Sequence, residues 1–219
     1  MANPARTFGL RPYRTSDAND FNGQAQLYYH SASDANNLFL GDLCKFDVTN
    51  RSSIQGARFP GLAAVTVAVA GNTNCRGVVV GIVPEPEFNQ IPTASLGRRY
   101  VVASTERYVW VVDDAAILYE IEDDYATDTA SNGALGTASI IGKNADINNT
   151  GGNTFTGISG MRLATATVAT TATLPLRIYR CIQRDNNFNT TTLTTSAGAQ
   201  AHWEVKLNTS DLWSTATGL

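Results

Sequence analysis

At 219 residues the chain is long enough to bury one substantial core, and its net charge of −3 excludes a general nucleic-acid binder, which carries a basic surplus. Charged residues make up only 16% and hydrophobic residues 43%. With Ala, Thr, Asn, Gly and Ser abundant, that balance excludes a disordered tail and suits a loop-rich β protein with an uncharged polar surface.

Residues 1–26 read as an extended arm. They hold Pro4, Gly9, Pro12 and Gly23 among scattered apolar residues, with neither helical nor strand period. Arg6, Phe8, Arg11, Tyr13 and Arg14 give the segment aromatic anchors and planar polar donors, the residue types of a partner contact. The competing reading packs this segment back on its own domain.

Residues 27–210 read as a single β-rich domain and 211–219 as a short tail. Leu27–His30 is a short strand, Ser31–Asp34 is able to cap one helical turn, and Leu43–Val48 resumes a strand. Ala63–Val69 alternates, and Arg76–Val83 follows with Gly77 and Gly81 on one face, where another backbone or a large side chain can come close. Tyr108–Val112 is apolar on both faces and predicts a deeply buried strand, Trp110 included. Beyond the Asp113-Asp114 break, Ile117, Tyr119 and Ile121 alternate with Leu118, Glu120 and Glu122, so the two runs read as a hairpin. Ala134–Lys143 is a weak helix candidate, and Leu174–Gln183 is a strand with Arg177, Tyr179 and Cys181 on one face. In His202–Leu207, Trp203, Val205 and Leu207 face a core and His202, Glu204 and Lys206 face water. The sum is a mainly β fold: an antiparallel β barrel or sandwich with an extended N-terminal arm and at most two short helices.

Cys44, Cys75 and Cys181 are odd in number and lack CxxC spacing, which predicts separate reduced thiols in a chain made in a cytoplasm. No signal-like segment or membrane-length apolar run is present. His30 and His202 lie far apart on the polar parity of their strands, with no nucleophile beside either, so no catalytic residue is assigned.

The acidic set Asp113, Asp114, Glu120, Glu122, Asp123 and Asp124 is divided by the apolar stretch 115–119 and lacks the glycine of a calcium loop, so no metal or other cofactor is assigned. Carboxylates at this density repel unless cations are close. Arg98, Arg99 and Arg107 are the nearest in sequence, and the expectation is that they pair with Asp113, Asp114, Glu122, Asp123 and Asp124, partly across a subunit boundary.

Several segments together resemble a known family. N-P-x-R-x-F-G-L-R-P-Y-R at 3–14, F-N-G at 21–23, Tyr28-Tyr29 and Gly41-Asp42 are followed by R-G-V-V-V-G at 76–81 and A-S-T-x-R-Y-V at 103–109. Then come G-K-N-A-D-I at 142–147, S-G-M-x-L at 159–163, A-T-T-A-T-L at 169–174, Q-R-D-N-N at 183–187 and W-x-V-x-x-N at 203–208. In this collinear order the chain resembles structural proteins of tailed-bacteriophage heads, some of which act as capsid decoration or cement proteins. The resemblance implies a homo-oligomer (dimer or trimer) bound to the major capsid protein on the outer capsid surface of the virion, and it supplies no catalytic residue. The charge and hydropathy predict no nucleic-acid partner and no membrane. The alternatives are another virion component, at the head–tail junction or in the tail, and a carbohydrate-binding β module on the virion surface, which requires exposed aromatics.

Overall fold

The computed structural model describes residues 7–50, 59–83, 99–124, 140–182, 201–210 and 212. Among them are thirteen strands: β1 (Leu10–Thr15), β2 (Gln26–His30), β3 (Leu38–Phe39), β4 (Leu43–Phe46), β5 (Val65–Val67), β6 (Gly77–Ile82), β7 (Tyr100–Val101), β8 (Arg107–Val112), β9 (Ile117–Glu122), β10 (Asn144–Asn153), β11 (Ile158–Ala169), β12 (Leu176–Cys181) and β13 (His202–Leu207). They form a six-stranded sheet in the order β1-β9-β13-β12-β10-β11, a five-stranded sheet β2-β8-β6-β4-β5, and the short pair β3-β7. Every strand pair is antiparallel. The two large sheets pack face to face as a sandwich whose shared core joins Tyr119, Ile121, Trp203, Val205 and Ile178 of one sheet to Val78, Val109, Val111 and Leu43 of the other.

Local chemistry explains which runs became strands. The alternation of 202–207 gives β13 its inner face of Trp203, Val205 and Leu207, all buried. Val, Ile and Tyr dominate β6, β8 and β9, where branched and aromatic side chains fit a half-buried pleat. All three cysteines are buried free thiols. Gly9 and Gly41 face each other in the left-handed region, at φ 69° and 91°. A Cβ on either would strike the other segment's backbone, and the contact is closed by Leu10 N–H donating to the Gly41 carbonyl at 2.8 Å. This clasp fixes where the chain enters β1.

Four expectations are corrected. Residues 10–15 are not part of an arm: they form β1, an edge strand with Leu10 opposite Ile121 and Arg11 opposite Glu120. The β body therefore begins at Leu10 rather than at residue 27. Tyr108–Val112 and Ile117–Glu122 are not a hairpin, because β8 pairs with β2 and β6 while β9 pairs with β1 and β13. The Asp113–Ala116 turn is a corner that carries the chain from one sheet to the other. Trp110 is 42% exposed on the outside of β8, lying over Gly81, where an added Cβ would come within 3.2 Å of its ring. His30 is fully buried, with Nδ1–H donating to the Thr105 carbonyl at 3.1 Å and Nε2 3.2 Å from Asp34 Oδ2.

There is no helix among the described residues. Ser31–Asp34 is a turn, in which the Ser31 hydroxyl accepts from Ser33 N–H and Asp34 from Asn36 N–H. Of the helix candidate 134–143, residues 134–139 lie outside the described residues and 140–142 form a turn. The tail 211–219 also lies outside them, apart from Leu212.

Candidate functional site

The outer face of the six-stranded sheet carries a connected row of charged side chains. Antiparallel register sets Arg11 of β1, Glu120 of β9, Glu204 of β13 and Arg180 of β12 in one row across four strands. Side chains directly opposite on one face sit within contact distance, so the row is cation, anion, anion, cation. Two adjacent carboxylates repel unless cations neutralise them, and here they are neutralised from both sides. Arg11 pairs with Glu120 Oε2, and His202 Nδ1 lies 2.7 Å from Glu120 Oε1. Glu204 sits between two guanidinium groups: Arg14 Nε donates to Oε1 and Arg180 Nε to Oε2, each at 2.6 Å. Both glutamate side chains are fully buried, although they point away from the apolar core.

Two β-bulges create this arrangement. In β1 the register shifts between Pro12 and Arg14, and in β12 between Ile178 and Arg180. A bulge inserts one residue into a strand and re-aims its neighbours. The inserted residues are Tyr13 and Tyr179, 38% and 49% exposed, and each stands beside an arginine that grips Glu204. The β12 bulge also reverses the expected parity, turning Arg180 outward and Cys181 into the core opposite Trp203. Phe8 closes one side, its ring centroid 5.3 Å from that of His202 and 5.0 Å from the Arg11 guanidinium carbon.

Of the expected arm contacts, Arg6 lies outside the described residues, while Phe8, Arg11, Tyr13 and Arg14 all belong to this face. The arginines do make the polar contacts their type suggested, but to carboxylates of the same chain.

The expected ion-pair set is dispersed. Asp113 accepts from the buried Tyr28 hydroxyl at 2.5 Å, and burial followed by that carboxylate pushes the phenol well above its ordinary pKa. Asp114 accepts from Ala116 N–H at 2.8 Å and so shapes the corner. Glu122 lies 3.4 Å from Arg162, an arginine outside the expected set. Asp123 accepts from Trp203 Nε1–H at 3.1 Å and from Ala201 N–H at 3.2 Å. Asp124 accepts from the Thr165 hydroxyl at 2.8 Å and from Asn148 Nδ2 at 3.1 Å. Arg98 lies outside the described residues, Arg99 is exposed with its backbone against Gly157, and Arg107 is buried in β8 opposite His30. Within the described residues no group of three His, Cys, Asp or Glu side chains is arranged to hold a metal ion.

Glu204, Arg180 and Tyr179 were missed as site residues. The available signal was Glu120 and Glu204 on the polar parity of well-patterned strands, but only the pairing order β9-β13-β12 brings them together. The chain matches no protein-family model, no curated protein and no solved structure.

Proposed function

We propose that this chain is a non-enzymatic virion structural protein that binds the outside of a bacteriophage capsid and reinforces it, as a decoration or cement protein. The observation that carries the reading is the collinear series of segments from Asn3 to Asn208 that resembles phage-head structural proteins. The fold supports it physically, because a shell stabiliser needs a rigid body with a broad, well-ordered face, and many copies multiply a modest contact by avidity. On this reading the partners are the major capsid protein and further copies of the chain, in a dimer or trimer on the outer capsid surface.

The test is co-sedimentation of the purified chain with capsids assembled from the major capsid protein of the same virion. Saturable binding at a fixed ratio to capsid subunits, with capsids more resistant to heat or chaotrope, is the expected outcome. Failure to co-sediment under conditions where the capsids are intact overturns the reading.

A second reading, a glycan-binding module on the virion surface, is favoured by one feature. Trp110 lies exposed beside Gly81 on the outside of the five-stranded sheet, an open aromatic surface of the kind sugars stack on. Retention on immobilised polysaccharides that is lost in Trp110→Ala would select it over the first.

A further inference from the structure

We infer that the outer face of β1, β9, β13 and β12 is a docking surface for a carboxylate-rich protein surface, gripped by Arg14, Arg177, Arg180 and Lys206 with Tyr13 and Tyr179 as anchors. The inference rests on reading the chain as a binding body and deepens it by assigning the face and the chemistry of its partner. What carries it is a separation of charge by depth. The glutamates of the face have no exposed side-chain surface, whereas the side chains of Arg11, Arg180 and Arg14 are 55%, 45% and 20% exposed. Lys206 lies directly opposite Arg177 in the register, on the same face as Glu204, and Arg177 is exposed. Three arginines thus cover Glu120 and Glu204, with Arg177 and Lys206 beside them on the same face, on a chain whose overall charge is −3. The remaining acids mark the limits of the patch. Glu122 lies 3.4 Å from Arg162 at one margin, and the exposed Asp17 and Asp114 lie past the end of β1 and at the sheet corner. The exposed Asp20 faces Arg14 across an isolated bridge on the outer edge of β1, where it bounds the patch.

The buried glutamates also orient the cations. A guanidinium carries five N–H donors in a planar fork. Arg14 and Arg180 each commit Nε–H to Glu204, which fixes the guanidinium plane and leaves the terminal amino groups uncommitted to that carboxylate. An arginine already ordered loses little entropy when it donates to a partner's carboxylate. Exposed tyrosines beside arginines are the residue pairing that dominates interface energetics, and the two bulges place one such pair on each flank of Glu204. A nucleic acid fits less well, since polyphosphate affinity scales with the number of neutralised phosphates, and three of the cations of this patch already share Glu120 and Glu204.

The test variant is Arg177→Glu with Tyr179→Ala, two exposed positions without a side-chain partner among the described residues. An unchanged melting temperature verifies the fold. Binding is read by co-sedimentation with capsids at low and high salt, and by retention on immobilised poly-L-glutamate and on duplex DNA. The expected result is loss of capsid binding by about tenfold or more in the variant, with salt-sensitive wild-type retention on poly-L-glutamate that the variant lacks. If the wild type binds capsids and the variant binds equally well, the assignment of this face fails while the decoration reading stands. If the wild type does not bind capsids, the decoration reading fails. The poly-L-glutamate comparison then decides the face by itself: retention lost in the variant supports it, and no retention overturns it. Stronger retention on DNA than on poly-L-glutamate overturns it in favour of a nucleic-acid surface.

Discussion

Trp203 and Trp110 sit on adjacent sheets and differ in what stands around them. Trp203 is wholly buried opposite Ile121 and Cys181, and its indole N–H satisfies Asp123. Replacing it with alanine removes the largest fully buried side chain of the described core and one of the hydrogen bonds to the buried Asp123 carboxylate. Trp203→Ala should therefore cost about 3–5 kcal/mol, measured by urea unfolding. Trp110→Ala, at a side chain 42% exposed, should stay within about 1 kcal/mol of wild type in the same assay. Glu204 tests the charged row at the same scale. Glu204→Gln keeps the volume but leaves one neutral carbonyl acceptor for two guanidinium groups and turns an amide NH2 toward the other, so a loss of about 1–3 kcal/mol is expected, the usual worth of hydrogen bonds to charged groups. Unchanged stability of Glu204→Gln would mean that solvent already screens the row.

At the scale of elements, legibility followed the regularity of the pleat. The inner face of β13 was readable to the residue because its alternation is unbroken and apolar, whereas Glu204 of its outer face, expected in water, is fully buried beneath arginines. In β1, Pro12 and the bulge at Tyr13 destroy the period within six residues, so an edge strand looked like an arm. The parity of β12 was misread beyond Tyr179 because a bulge leaves no composition signal of its own. The corner at Asp113–Ala116 has the sequence of a hairpin turn, and nothing local says that its two strands join different sheets. The charged row was legible only as polar parity, since neighbours in a sheet are set by long-range pairing. The correction to β1 has a measurable consequence. Deletion of residues 1–15 removes the buried Leu10 and takes Arg11 and Arg14 off two buried glutamates. It should destabilise the body by about 5 kcal/mol or more, read as a shifted urea midpoint. A truncated body as stable as the intact chain would restore the arm.

At the scale of the whole molecule, two buried aspartates pull the pH dependence of stability in opposite directions. Burial would raise Asp34, but hydrogen bonds from His30, Thr66 and Asn36 outweigh it and hold its carboxyl well below the ordinary value. Its contribution is present above the unfolded pKa and is lost as pH falls through the acid range below it. Asp42 behaves inversely. Burial raises it from 3.8 to about 6, and the hydrogen bonds from Ser159 and the Phe39 N–H only partly offset that burial. Between those two values the folded chain binds more protons at this site than the unfolded chain, so stability falls as pH rises through the interval. A shift of this size corresponds to about 3 kcal/mol lost by pH 7 relative to the protonated group. The Asp42 term alone thus predicts that the fold gains stability on going from pH 7 to pH 5, before acid titration of Asp34 reverses the trend. Asp42→Asn keeps an acceptor for the Phe39 N–H and cannot ionise. Urea midpoints as a function of pH should therefore show the variant more stable than wild type at pH 7 and the difference shrinking toward pH 5. A difference that is constant across that range would show that Asp42 does not titrate there and that its burial is compensated by a contact other than those from Ser159 and Phe39.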